Sequence, residues 1–294
     1  MPDKLHNAGF VSIIGKPNVG KSTLMNQLVG ERLSIITSKA QTTRHRIMGI
    51  LSGDDFQIVY SDTPGIIKPQ YELQKSMMRF VNLSLEDADV ILFVTDLYEK
   101  YDDRLLDRLR RIQQPIILVL NKTDLATGSQ AIDKLSYWLE AFTPSRAFSV
   151  SALTGNGCEE ILPEIIDLLP EHPPFFPKDQ LTDKPEKFFV EEILREQIFE
   201  NYKQEVPYST QVVLDEFKED DKIIRIRAEI YVERKSQKGI IIGKKGEALK
   251  RVGIEARKRM EDFFQKQIHL ETYVKVAEDW RKKSIKLKQF GYLN

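Results

Sequence analysis

The chain of 294 residues has one cysteine, Cys158, so no internal disulfide can form. No group of histidines and cysteines has the spacing of a metal-binding set. Long apolar runs are missing too. Val90–Val94 and Ile116–Leu120 are about five residues each, against the roughly 20 that cross a bilayer as a helix. Met1–Asn7 holds no apolar signal core, which predicts a chain kept in a reducing, cytoplasmic compartment. There is no internal repeat, no low-complexity tract and no excess of either charge, with 44 basic and 44 acidic side chains. At 30% charged and 41% hydrophobic, the composition is that of an ordinary folded protein, and the length suggests two domains.

The neutral total conceals a division. Residues 222–294 carry 20 basic and 9 acidic side chains, net +11, and the preceding residues carry 24 and 35, net −11. Neutrality therefore does not exclude a polyanionic partner. It assigns contacts with a polyanion's phosphate backbone to the last 73 residues.

Apolar, β-rich runs at Phe10–Ile14, Arg46–Leu51, Phe56–Ser61, Val90–Thr95, Ile116–Leu120 and Ala147–Val150 predict strands. Helical patterns lie at Ser22–Val29, Leu73–Leu85, Asp103–Arg111, Gln130–Ala141 and Glu159–Leu169. This alternation indicates a doubly wound, mostly parallel sheet. The short turn Ser52–Asp55 makes the second and third strands an antiparallel hairpin at one edge. Pro170, Pro173, Pro174 and Pro177 then read as a stiff linker, which sets domains at 1–172 and 188–294 joined by residues 173–187. Beyond it we expect a helix at Phe188–Gln204, strands at Ser209–Phe217 and Ile223–Glu233, and helices at Glu247–Arg251 and Glu255–Gln265. A strand at Ile268–Val276 and a basic helix from Trp280 complete an α+β domain.

Gly15-Lys16-Pro17-Asn18-Val19-Gly20-Lys21-Ser22, with Thr23 next, fits GxxxxGK[ST] between a strand and a helix. Its backbone N–H groups can wrap phosphates, Lys21 can bridge the β- and γ-phosphates, and Ser22 can ligate Mg²⁺. Asp62-Thr63-Pro64-Gly65 ends the third strand, where a carboxylate can hold Mg²⁺ and the Gly65 N–H can meet a γ-phosphate. Asn121-Lys122-Thr123-Asp124 follows the fifth strand, at the end of an open α/β sheet that binds ligands. The Asp124 carboxylate can accept from guanine N1 and N2, and Ser151-Ala152 offers a backbone N–H for guanine O6. The strand and helix that flank the phosphate loop set it apart from a chance glycine-rich turn. Taken alone, Asp62–Gly65 reads as a tight turn, Asn121–Asp124 reads equally well as a loop, and Ser151-Ala152 is a weak signal.

In this order the motifs resemble the Era branch of the translation-factor-like GTPases, with GTP/GDP and Mg²⁺ as implied ligands. The resemblance extends to Gln41-Thr42-Thr43-Arg44-His45, the family's first switch, and implies that Thr43, or else Thr42, closes over Mg²⁺ with GTP bound. Ile66 stands where Ras-like proteins carry the glutamine that orients water. That predicts slow hydrolysis, aided by a partner, a backbone-held water or a monovalent cation. Asn18 could ligate K⁺ there, as in related GTPases, or only support its turn.

Ile240-Ile241-Ile242-Gly243-Lys244-Lys245-Gly246 carries a GxxG with basic flanks, including Lys238. The glycines admit a sugar–phosphate backbone, and an apolar groove of Ile240, Ile241 and Ile242 is expected to receive bases. The segment resembles the KH domain of the same family, which implies binding near the 3′ end of 16S ribosomal RNA, in assembly of the small (30S) subunit, by a monomer. Arg257-Lys258-Arg259 and Arg281-Lys282-Lys283 extend the basic surface, or are simply solvated helix faces. Attraction to the cytoplasmic face of the membrane is a further consequence of such a patch. Phe188, Phe189, Phe263 and Phe264 are placed on packing faces by their helical spacing.

Overall fold

Apolar residues buried on both faces of a strand call for helices on both sides of a sheet, and the first of the chain's two units is arranged that way. The computed structural model describes residues 6–37, 39–101 and 103–293. All but the last two residues of Met1–Asn7 lie outside that range. The described elements run β1 (Asn7–Ile14), α1 (Lys21–Val29), β2 (Ile47–Ser52), β3 (Phe56–Asp62), α2 (Glu72–Glu86), β4 (Val90–Asp96) and α3 (Asp103–Arg111). They continue with β5 (Ile116–Asn121), α4 (Gln130–Ala141), β6 (Arg146–Ser149) and α5 (Ile161–Leu168). The strands form one sheet in the order β2-β3-β1-β4-β5-β6, parallel except for the antiparallel edge pair β2–β3. Both β4 and β5 are buried along their whole length, as expected for central strands. On one side Phe93, Leu118 and Ile14 pack with the fully buried Trp138 of α4.

The proline-rich stretch is bound rather than extended into solvent. The Phe176 N–H donates to Gln57 Oε1 at 2.9 Å, Lys178 Nζ to the carbonyls of Gly53 and Asp54, and Thr182 bridges Gly49. The residues grouped with this sheet are those up to Ser34, Thr43–Lys68 and Met77–Asp183.

A second unit takes Ile35–Thr42, Pro69–Ser76 and the chain from Lys184. Its elements are α6 (Glu186–Asn201), β7 (Gln211–Glu219), β8 (Ile223–Val232), α7 (Lys235–Ile242), α8 (Glu247–Phe264), β9 (Gln267–Val276) and α9 (Ser284–Gln289). The sheet runs β7-β8-β9, with β7–β8 antiparallel and β8–β9 parallel. Leu194 and Ile198 of α6, Ile226 and Ile230 of β8, and Ala256 and Met260 of α8 share one core.

The expected α-β-β-α-α-β order is present, but the two inner helices are placed differently. Residues 235–242, not assigned to a helix from sequence, form α7, and the two expected pieces around Gly253 are one continuous α8. The single Gly253 costs the helix only about 1 kcal/mol relative to alanine, and α8 runs through it. The C-terminal segment opens with a short 3-10 turn at Trp280–Lys282 before α9. Trp280 is fully buried and donates from Nε1 to the Ser209 carbonyl at 2.8 Å. Of the four phenylalanines expected on packing faces, Phe189 is buried, whereas Phe263 is 43% exposed and stacks on it at 5.3 Å. Among the described residues no helix is long and apolar enough to cross a membrane.

Candidate functional site

The loops after β1, β3, β5 and β6 converge at one end of the six-stranded sheet, the position at which open α/β folds bind ligands. Gly20 adopts a left-handed conformation (φ 95°), and a Cβ there would lie 2.2 Å from Asn121 Nδ2. Only glycine lets the turn enter α1 this close to β5. Lys21, with its side chain buried, donates from Nζ to the Lys16 carbonyl at 2.9 Å. Burial pulls its ammonium down to about 8, opposed by the charges of Asp62 and Glu99. A bound polyphosphate would supply the negative charge that this buried cation lacks. Lys16 Nζ donates to the Lys100 carbonyl at 2.6 Å, while Pro17 and Asn18 form the crown of the loop, Asn18 in left-handed geometry (φ 65°).

Beside Lys21, three oxygen-bearing side chains meet. Ser22 Oγ donates to Asp62 Oδ2 at 2.6 Å, and Thr43 Oγ1 lies 2.9 Å from Ser22 Oγ and 3.3 Å from Asp62 Oδ2. Asp62 is fully buried, and desolvation raises its carboxyl pKa against the opposing Ser22 hydrogen bond and Lys21 charge. Its Oδ1 is buried with no hydrogen-bond partner among the described residues. A set of hard oxygens with one carboxylate left open fits Mg²⁺ rather than a soft metal. Thr42 is turned elsewhere, with Oγ1 donating to the Lys39 carbonyl at 2.8 Å. The structure thus brings Thr43, and not Thr42, to Ser22 and Asp62.

Thr63 Oγ1 donates to the Ile13 carbonyl at 2.8 Å, and Pro64 and Gly65 are buried, so this turn is anchored to β1. The Ile66 N–H donates to the Gly15 carbonyl at 2.9 Å, and its side chain joins the apolar cluster of Phe93 and Trp138. Ile66 therefore has nothing with which to orient a water molecule.

On the base side, Asp124 is exposed and accepts from Ser151 Oγ at 2.7 Å. The Lys122 ammonium pairs with Asp96 at 2.8 Å. Asn121 is occupied internally: Nδ2 donates to the Val19 carbonyl and Oδ1 accepts from the Ala152 N–H, both at 2.9 Å. It ties the phosphate loop to the base loop. Sequence reasoning passed over Asp96. Its signal was strand register, since Asp96 lies directly beside Asn121 in the β4–β5 pair.

In the second unit, Gly243–Gly246 forms the turn between α7 and α8, and Lys244 and Lys245 are exposed on it. Gly243 (φ 72°) would place a Cβ 2.6 Å from that of Ala248, so a side chain would push the two helices apart. The expected groove of three isoleucines is not what forms. Because residues 235–242 are helical, the three point in different directions: Ile241 is fully buried in the core, Ile242 packs at its margin and Ile240 is 52% exposed. Lys238 lies on the same helix, partly buried. An open groove of about 480 Å³ lies instead between α8 and β9, lined by Leu249, Lys250, Ile254, Arg257, Ile268 and Leu270 among others. Part of the expected basic surface is also neutralised, since Arg281 pairs with Glu233 and Arg259 with Glu196, each at 2.5 Å.

A phosphate loop, a base loop and an open oxygen set on a six-stranded sheet, followed by a GxxG turn over a three-stranded sheet, define a P-loop GTPase with a C-terminal KH domain. Comparison with known proteins agrees. The family described as 50S ribosome-binding GTPase matches residues 10–122, and the KH domain family matches residues 205–281. The chain is 44% identical to GTPase Era of Geotalea daltonii, spanning 99% of this chain and 100% of that one. It is 41% identical to GTPase Era of Staphylococcus haemolyticus, spanning 98% of each. The chloroplastic GTPase ERA-like protein of Oryza sativa subsp. japonica is 43% identical over 98% of this chain and 70% of its own length. Among solved structures, an Era complex with MgGDPNP and nucleotides 1506–1542 of 16S ribosomal RNA superposes with a TM-score of 0.93. It is 38% identical, over 98% of this chain and 100% of that one. An Aquifex aeolicus Era variant bound to GDP and AlF4⁻ matches equally well. The chain belongs to the GTPase Era family, and its activity is hydrolysis of GTP.

Proposed function

We propose that this GTPase is a nucleotide-governed clamp for single-stranded RNA near the 3′ end of 16S ribosomal RNA, acting in assembly of the 30S subunit. The observation that carries it is the near full-length likeness to an Era protein holding both MgGDPNP and that RNA segment. Lys21 would neutralise the β- and γ-phosphates, Asp124 would select guanine, and the Gly65 N–H would sense the γ-phosphate. Ser22, Thr43 and Asp62 would hold Mg²⁺, which when bound offsets the charge that develops on the phosphates. With Ile66 unable to position water, intrinsic turnover is slow. Asn18 at the crown of its loop suits a K⁺ ligand, and identical turnover in K⁺ and Na⁺ buffers would remove it from that role.

In this reading residues 1–172 form the nucleotide domain, 173–187 the connection and 188–294 the RNA-binding domain. RNA affinity follows the nucleotide state, and the coupling is reciprocal. The protein works as a cytoplasmic monomer, and its basic half gives it affinity for anionic membrane surfaces, measurable by vesicle flotation. Crosslinking in cells followed by sequencing of the bound RNA tests the substrate. Enrichment of small-subunit rRNA 3′ ends is expected, and enrichment of another RNA would overturn the assignment. Lys21→Ala should abolish both hydrolysis and complementation of a depleted strain, whereas retained complementation would make the nucleotide merely structural.

A further inference from the structure

Residues 35–42, which lead into Thr43, group with the C-terminal unit, and α6 holds them there. Glu196, 1% exposed, accepts from the Ile36 N–H at 3.2 Å. Lys39 Nζ donates to the carbonyls of Phe199 and Tyr202 at the C-terminal end of the helix. At the far end of the segment, Arg195 Nη2 donates to the Thr42 carbonyl at 2.5 Å. Arg195 is itself fixed, with Nε and Nη2 donating to the two oxygens of Glu192 at 2.8 and 2.6 Å. It is 2% exposed and stacks 5.5 Å from the Phe199 ring.

So deep an ion pair adds little to stability, because desolvating both charges offsets their attraction. Two apolar side chains would fill the space as well. What they could not do is hold the carbonyl of a loop residue, and the next residue along is Thr43, which lies at Ser22 and Asp62. The other end of the same helix reaches the GxxG turn. Tyr202, just past α6, donates from its hydroxyl to the Ile241 carbonyl at 2.6 Å, two residues before Gly243. Asn201 is bonded to both Glu255 and Arg251 of α8.

We propose that α6 is the transmitting element of the switch: Arg195, through the Thr42 carbonyl, and Tyr202, through the Ile241 carbonyl, couple retention of Thr43 at the metal site to the pose of the Gly243–Gly246 turn. Both are positioning residues. The relay rests on the reading above, that nucleotide state governs RNA affinity.

The test uses the full chain and a single-stranded RNA copied from the 3′ end of 16S ribosomal RNA, titrated with GDP and with a non-hydrolysable GTP analogue. The wild-type affinities should differ by a factor on the order of 5–150. Two variants are compared: Tyr202→Phe, which deletes one hydroxyl, and the double variant Glu192→Leu/Arg195→Met, which fills the buried site with apolar side chains so that folding survives. In both, the ratio should fall to within about twofold of unity while the GDP-state affinity stays near wild type. A wild-type ratio in either variant overturns the relay and leaves the proposed function standing. Equal weakening in both nucleotide states, with the ratio kept, marks a purely structural role and also overturns it. A ratio of one in the wild-type protein refutes the functional reading itself, and the relay with it.

Discussion

Replacing Asn121 by alanine removes the tie between the two halves of the nucleotide site. The Val19 carbonyl and the Ala152 N–H each lose their 2.9 Å contact with this side chain. Both residues and Asn121 itself are 2% exposed, so water does not readily reach the orphaned groups. A buried donor or acceptor left unpaired costs roughly 1–3 kcal/mol, so the pair costs about 2–6 kcal/mol. The penalty is greatest in the nucleotide-bound state, where the phosphate and base loops must both keep their register. If half of it appears in binding, GDP affinity weakens by roughly 5- to 150-fold, since about 1.4 kcal/mol is tenfold. The remainder lowers the free energy of unfolding. Stopped-flow release of a fluorescent GDP analogue, run beside urea denaturation, measures both parts. Asn121→Asp keeps the acceptor for Ala152 but turns a buried carboxylate oxygen toward the Val19 carbonyl, and should release GDP at least as fast as the alanine variant. Unchanged release and an unchanged denaturation midpoint in the alanine variant would refute the tie.

Ser22→Ala removes one oxygen from the set around Asp62, and the Mg²⁺ concentration for half-maximal turnover should rise by at least about tenfold. An unmoved midpoint would place the metal elsewhere. Glu191, which accepts from the Leu214 N–H at 2.9 Å, has its carboxyl pushed up to about 7 by burial, with Glu192 adding to the shift. The folded state therefore binds the extra proton, so this contribution to stability is present below about pH 4.5 and is lost as pH rises through 7. Glu191→Gln should flatten that decline and be more stable at pH 8 by at most roughly 3 kcal/mol, and parallel denaturation curves for the two proteins across pH 5–8 would rule it out. Lys244→Ala and Lys245→Ala should each lower the slope of log affinity against log salt by about 0.7 for a single strand. No change in slope would mean these exposed lysines touch no phosphate.

The nucleotide half was legible because its function sits in contiguous segments. The tetrapeptides at 62–65 and 121–124 each end a strand whose apolar run marks it in the sequence, and the short turn Ser52–Asp55 identifies the antiparallel pair β2–β3. The internal contacts of Asn121 were not legible, because a tetrapeptide motif does not say which side chains it folds against. Its partners come from loops about 30 and 100 residues away in sequence. In the RNA-binding half the run Ile240–Ile242 suggested an apolar wall. Helical geometry turns successive residues by about 100°, so only Ile241 enters the core. The groove between α8 and β9 pairs Leu249 and Ile254 with Ile268 and Leu270, which are far apart in sequence and meet only when β9 is paired with β8. Nothing in the sequence marks the pair Glu192–Arg195 as buried, because an (i, i+3) pair reads the same on a solvated helix face and burial is a property of the fold.

Because β8 and β9 are parallel, the chain between them must cross over, and α7, the GxxG turn and α8 are that crossover. The groove lined by Leu249, Ile254, Ile268 and Leu270 therefore has one wall on the crossover and the other on the strand it delivers. Until β9 pairs along β8, Gly243–Gly246 is a loop without an opposing surface. RNA that binds only the finished groove draws the equilibrium toward the paired sheet by mass action. β9 is an edge strand, so its backbone amides should exchange with solvent deuterium more slowly when RNA lies against them.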